Sequence, residues 1–281
     1  MKIPVLTTSS GLALPVLGMG TWSFGGRQSR DPDNDDSAQI NALQQGIEMG
    51  CSLIDTAEYY AATYAETLVG LAIRGFDRKK LFITSKVWKT NARRDDLLKA
   101  AEGSLKRLGT DYLDCCLYHH FNPEVPLEET MGALNELVEQ KMARSIGVSN
   151  FSASLLRRAI ACSSAPVILN QVHYNLAVRE ACENLSEFCK EHSVILQAWR
   201  PVRDLEETPE CREICQKRHI TFPQLALAYL FNKKNTAVLA AMKDCRHLKE
   251  NMAALEIELS QEEMIQLDNY PRKRPCDVPL A

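Results

Sequence analysis

Asp55, Tyr60, Lys86 and His119 are an acid, a phenol, an ammonium and an imidazole, and each ends or follows a short apolar run. The stretch CSLIDTAEYY, residues 51–60, begins as a buried strand through Ser52, Leu53 and Ile54. It reaches Asp55 where the strand stops and carries Tyr60 five positions on. Together the four suit carbonyl reduction. The hydride must come from a reduced nicotinamide, because no side chain donates one, and the developing alkoxide must then receive a proton. Tyr60 is the candidate acid. A free phenol has a pKa of about 10, and a Lys86 cation beside it favours the phenolate and so lowers that value. Asp55 would hold Lys86 in place and keep it charged, and a neutral His119 can donate to the carbonyl oxygen and orient it. Plainer readings stand beside these: Asp55 as a helix N-cap, Tyr60 as a half-buried packing residue, Lys86 as a solvated strand end. His119 and His120 do not read as a metal pair, because adjacent strand residues point to opposite faces. No metal is expected.

The elements that must position these residues alternate along the chain. Apolar runs at 17–21, 52–54, 80–86, 112–118, 143–148, 167–171, 194–199 and 236–241 read as strands. Segments of helical periodicity at 37–49, 64–74, 95–108, 127–140, 152–161, 179–192, 210–218 and 222–232 separate or follow them. About eight strand–helix units predict an α/β fold, a parallel (β/α)8 TIM barrel, as a single domain over residues 1–281. Residues 5–6 and 12–16, joined by Thr8-Ser9-Ser10-Gly11, predict an N-terminal β-hairpin. A tail from Leu248 carries a short helix and then one capped by Ser260. An open doubly wound sheet would show a G-x-G-x-x-G turn after an early strand, and neither Gly18-Met19-Gly20 nor Gly25-Gly26 has that spacing. In a parallel barrel every strand's C-terminal end opens on one mouth. Ser149, Asn150, Gln171, Trp199 and Arg200 therefore join the first four there.

Composition narrows the partners. Of 281 residues 45% are hydrophobic, enough for a large core, and the formal charge of −3 gives no footprint for nucleic acid or an acidic membrane surface. No apolar run approaches the roughly 18 residues of a membrane span, and the N-terminus has no apolar stretch adequate for a signal peptide. The ten cysteines lie inside helix and strand patterns without a C-x-x-C, which reads as reduced thiols in a cytoplasmic protein.

The motifs LGMGTW at 17–22, IDTAEYY at 54–60, ITSKVW at 83–88, LGTDYLDCCLYH at 108–119, SIGVSNF at 145–151, NQVHYN at 170–175, AWRPV at 198–202 and KEN at 249–251 resemble those of the aldo-keto reductases, in the family's order and over nearly the whole chain. The resemblance implies a barrel that binds an extended nicotinamide cofactor without a Rossmann motif, with a catalytic tetrad of Asp55, Tyr60, Lys86 and His119. It implies that Ser149, Asn150 and Gln171 hold the carboxamide, that Trp199 stacks on the nicotinamide where the family often has Tyr, and that Thr21 and Trp22 line the cofactor and substrate mouth. Family members preferring NADPH often carry a Lys-Ser pair and a nearby Arg for the 2′-phosphate. Aligned on Glu250 and Asn251, this chain has Ala241, Met242 and His247 there, with Lys243 and Arg246 each one residue away. These charges favour NADPH, with NADH as the alternative. Arg200 can reach a cofactor phosphate or pair at the rim.

Trp22, Tyr59, Trp88 and Phe121 make an aromatic substrate wall in the resemblance, with one of the four expected to pack under loops, and His120 replaces a common Trp. Such a wall suits aldehydes and ketones with aromatic or alkyl bodies. The tail at 271–281 either folds over the pocket or is solvated. A monomer or weak homo-oligomer is expected. The competing function is a cofactor-binding regulatory or redox-sensing barrel with little turnover, against which all four tetrad positions are filled.

Overall fold

The computed structural model describes residues 2–241 and 245–273, apart from the side chains at 180–184 and 245. A hairpin of β1 (Val5–Thr7) and β2 (Ala13–Pro15) precedes the barrel. Its turn is closed by Gly11, whose φ of 79° a glycine reaches without strain.

The barrel strands are β3 (Leu17–Gly20), β4 (Leu53–Asp55), β5 (Phe82–Val87), β6 (Cys115–Tyr118), β7 (Ile146–Ser149), β8 (Val167–His173), β9 (Ile195–Trp199) and β10 (Thr236–Ala241). Each pairs parallel with its neighbour in chain order, and β10 returns to β3 to close the ring. The expected (β/α)8 barrel and hairpin are both present. The helices between strands are α1 (Asp36–Glu48), α2 (Tyr64–Ala72), α3 (Arg94–Leu108), α4 (Leu127–Glu139), α5 (Ala153–Ala161), α6 (Glu180–Glu191), α7 (Pro209–Arg218) and α8 (Phe222–Phe231); α9 (Cys245–Ala253) and α10 (Gln261–Asp268) follow. Their ends follow local chemistry. Ser152 accepts from the Leu155 amide at the start of α5, and Ser260 and Glu263 form a reciprocal capping box on α10. Helix α2 stops two residues short of the expected 74. The chain turns there through Gly75, at φ 87°. None of the described helices is long and apolar enough to cross a membrane.

Strand alternation divides the core in two. Ile54, Ile83, Cys116, Leu196 and Val238 face outward under the helices. Leu53, Phe82, Cys115, Leu117, Leu169, Ile195 and Leu239 face inward as a separate cluster. Leu14 of the hairpin, with no exposed surface, completes this inner cluster and plugs the lower end. The interior is tight: a Cβ on Gly18 would stand 2.6 Å from Leu53, and one on Gly147 would stand 2.6 Å from Leu117. Two or four residues further along, the same inward parity reaches Asp55, Lys86, His119, Ser149, Gln171, Gln197 and Trp199. One face of the barrel's strands thus carries an apolar layer below and a polar layer above.

Candidate active site

Asp55 closes β4, Lys86 stands one residue before the end of β5, His119 follows β6, and Tyr60 opens a one-turn 3₁₀ segment, Tyr60–Thr63. The Lys86 side chain is wholly buried. Its ammonium donates to Asp55 Oδ2 at 2.6 Å, to Thr56 O at 2.9 Å and to the Tyr60 hydroxyl at 2.9 Å, which uses all three hydrogens. Lys86 is therefore not a solvated strand end. Asp55 caps no helix either, since α2 begins nine residues later with Thr63 at its N-cap. Thr21 supports Asp55 from the other side, donating from its hydroxyl at 2.9 Å and its amide at 3.1 Å to the Asp55 carbonyl.

The turn that presents Tyr60 is unusual. Ala61, Ala62 and Thr63 have φ values of 49°, 50° and 79°, three consecutive non-glycine residues in left-handed backbone. The Arg27 and Gln28 carbonyls accept from the Ala61 and Ala62 amides at 2.6 and 3.0 Å. Below the turn, the buried Glu66 of α2 accepts from the Ser85 hydroxyl at 2.5 Å and from Arg107 at 2.7 Å. Ser85 is the neighbour of Lys86, so this bond fixes the helix after Tyr60 to the strand that carries the ammonium.

The electrostatics follow from burial. Burial opposes the Lys86 charge, but Asp55 and Tyr60 outweigh it and hold the ammonium above its usual range. Burial pushes the Asp55 carboxyl up while Lys86 and Gln171 pull it back. Burial likewise pushes the Tyr60 phenol above 10, with Lys86 pulling against it. The sequence led to a phenol lowered by Lys86. The ammonium does act in that direction, yet desolvation of a buried phenolate is larger and the net shift is upward. His119 lies well below 6.5 through burial and the nearby Lys86 and His120, so its ring is neutral at pH 7. Its Nδ1 is buried without a hydrogen-bond partner among the described residues. The site thus holds a protonated phenol against a fixed cation, beside a neutral imidazole.

The model of the Aldo/keto reductase family matches residues 16–271. The chain belongs to the aldo-keto reductase family. Among curated proteins it is similar to the methylglyoxal reductase YeaE of Escherichia coli, 33% identical and covering 96% of each chain. Among solved structures it is similar to the thermostable aldo-keto reductase Tm1743 in complex with epalrestat, at TM-score 0.91 and 43% identity, covering 96% of this chain and 100% of that one. It also resembles an aldo/keto reductase from Klebsiella pneumoniae in complex with NADP and acetate, at TM-score 0.87 and 34% identity, covering 99% of both chains.

Within this aldo-keto reductase barrel, Ser149 donates to the Gln171 carbonyl at 2.9 Å, and Asn150 accepts from the Trp199 indole at 3.3 Å. Trp199 lies flat on His173, ring centroids 4.5 Å apart, and the Arg200 guanidinium lies 5.2 Å from its ring. Arg246 is exposed on the first turn of α9, and Glu250 and Asn251 are half-buried one turn on. Met242 and Lys243 lie outside the described residues, as does the tail beyond 273.

Tyr59 stacks on Trp88 at 3.8 Å, with Trp22 parallel to Tyr59 at 6.2 Å and His120 edge-on to Trp88 at 4.9 Å. Trp22 also meets the Tyr60 ring edge-on at 5.0 Å. Phe121 lies edge-on against the buried Phe151, ring centroids 6.2 Å apart. Two buried polar residues were not anticipated. Glu58 accepts from the Trp88 amide and from Asn91 at 3.0 Å, bracing the aromatic wall from behind. Gln197 sits beside Gln171 in the polar layer. Its position between Ile195 and Trp199 on an alternating strand is the signal that could have found it.

Proposed function

We infer that the chain is an NADPH-dependent carbonyl reductase in which Tyr60 protonates the developing alkoxide. The observation that carries this reading is the Lys86 ammonium 2.9 Å from the hydroxyl of a buried, protonated Tyr60. A neutral phenol is the form an acid needs, and the ammonium stabilises the phenolate left behind. Asp55 keeps the ammonium charged and aimed. His119, neutral at pH 7, is fitted to donate a hydrogen bond to the carbonyl oxygen while Tyr60 delivers the proton.

Reduced nicotinamide, when bound, supplies the hydride. The residues fit that group: Ser149, Asn150 and Gln171 offer polar groups for the carboxamide, and Trp199 offers a flat apolar face. Arg200, Lys243 and Arg246 are assigned to the phosphates, with Thr21, Trp22, Met242, Glu250 and Asn251 flanking the cofactor. Codeinone reductases of Papaver somniferum among the relatives carry NADPH in their names, which supports NADPH over NADH. Trp22, Tyr59, Trp88 and His120 form the substrate wall, suited to aromatic and alkyl aldehydes and ketones. The chain acts as one barrel domain over 1–281, a cytoplasmic monomer or weak homo-oligomer.

A redox-sensing barrel is disfavoured by the thiols of the described residues. Burial pushes Cys51 and Cys189 up to about 12 and Cys215 up to about 11, and Cys115, Cys116, Cys162 and Cys211 rise as well. Protonated thiols of this kind are poor nucleophiles. The deciding experiment follows the loss of nicotinamide absorbance with an activated aromatic aldehyde, with NADPH and NADH in parallel. Rapid oxidation with NADPH is expected. No oxidation with either cofactor, in folded protein that still binds one, would overturn the reading.

A further inference from the structure

Gln197 takes no part in the chemistry described above, yet it has no exposed surface and is the direct register partner of Gln171 across β8 and β9. Gln171 Nε2 donates at 2.8 Å to Asp55 Oδ1 and at 2.8 Å to Gln197 Oε1. Chemistry fixes which end of each amide is which. The Asp55 carboxylate, paired with Lys86, only accepts, so the Gln171 atom facing it is nitrogen. The second hydrogen of that nitrogen then needs an acceptor, and Gln197 presents its oxygen. Both hydrogens of Gln171 are thereby committed inside the protein, and the group it can offer a ligand is its own Oε1. The orientation has a cost. Gln197 Nε2 is left buried without a hydrogen-bond partner among the described residues, and turning the amide over would only set two N–H₂ groups against each other.

We propose that Gln197 is a positioning residue that locks the Gln171 amide so that its Oε1 faces the mouth as an acceptor for a primary amide N–H. Resting on the cofactor reading above, the group selected is the N–H₂ of the nicotinamide carboxamide. Gln197 thus sets preference at the cofactor's head group without touching it, through the same network that holds Asp55 against Lys86.

The test compares NADPH with its reduced 3-acetylpyridine analogue, whose acetyl group keeps the oxygen but has no N–H₂. Binding to each is measured by Trp fluorescence in the wild type, Gln197→Met and Gln197→Glu. Methionine matches glutamine in length and lacks the acceptor. Gln197→Met is expected to weaken NADPH about fivefold and leave the analogue within about twofold, the weight of one hydrogen bond. Gln197→Glu keeps an acceptor oxygen and is expected to keep the wild-type ratio. The ratio is taken within one protein, so a general loss of affinity cancels. Equal weakening of both cofactors, or an unchanged ratio in Gln197→Met, overturns the proposal. Should the Met variant not fold, collapse of the ratio in Gln197→Glu overturns it instead. Wild-type protein that fails to bind NADPH is a separate result, which removes the cofactor reading itself and the proposal with it.

Discussion

Lys86 Nζ lies 2.9 Å from the Tyr60 hydroxyl, with the two residues on different elements and 26 positions apart. Neither is exposed to more than a trace of solvent. When a phenol so placed gives up its proton, the charge it acquires is met by the ammonium beside it.

Tyr60→Phe therefore removes the acid without removing the ring that packs edge-on against Trp22. Turnover is expected to fall about 10²- to 10⁴-fold, with NADPH affinity nearly unchanged because the hydroxyl acts on the substrate. Steady-state reduction of an aromatic aldehyde, together with fluorescence titration of cofactor, checks both halves. A variant with near wild-type turnover would sink the assigned role.

Lys86→Met leaves the Asp55 carboxylate buried without its cation, and stability is expected to drop about 3–5 kcal/mol. Adding Asp55→Asn to that variant removes the stranded charge, so the double variant should be more stable than Lys86→Met alone. Urea unfolding of the three proteins measures this directly. A double variant that loses the sum of the two single losses would contradict the pairing.

Acid should weaken the fold through the two histidines. His120 is lowered to about 4 by burial and by Lys89 and Lys86, and His119 lies well below 6.5. Between pH 6.5 and about 4 the unfolded chain binds a proton at His120 that the folded chain refuses. Stability therefore falls as pH drops through that window, by less than the full ~1.4 kcal/mol per pH unit because His120 is partly solvated. Denaturant titrations at pH 7 and pH 5 should show the loss, and His120→Phe should reduce it. Because His119 lies well below 6.5, turnover should show no limb from it near pH 6.5.

Thr63 is β-branched and left-handed at φ 79°, and its side chain makes no capping bond to α2. Thr63→Gly relieves a strain of about 1–3 kcal/mol and gives back somewhat less in chain entropy. A gain of about 1 kcal/mol, or about 2 °C in Tm, is expected by calorimetry. A lower Tm would mean that the turn is not strained at this residue.

Much of the architecture could be read from the chain because strand ends and alternation are local signals. Asp55, Lys86 and His119 each stand at the end of an apolar run, and the closure of eight such units brings them to one mouth. The sign of the Tyr60 shift could not be read, because it depends on how completely the closed barrel excludes water from the phenol. The left-handed run at 61–63 carries no glycine to announce it, and Glu58 gives no hint of its bond to the Trp88 amide, 30 residues away. Gln197 shares the inward face of its strand with Trp199, two residues on, but a lone amide inside a strand draws no attention until its partner is known.

The hairpin's Leu14 gives the barrel a blind end. With the lower end filled by packed side chains, the strand ends at the other rim are where the barrel can receive both reactants, and a change at Leu14 would act on stability rather than on access.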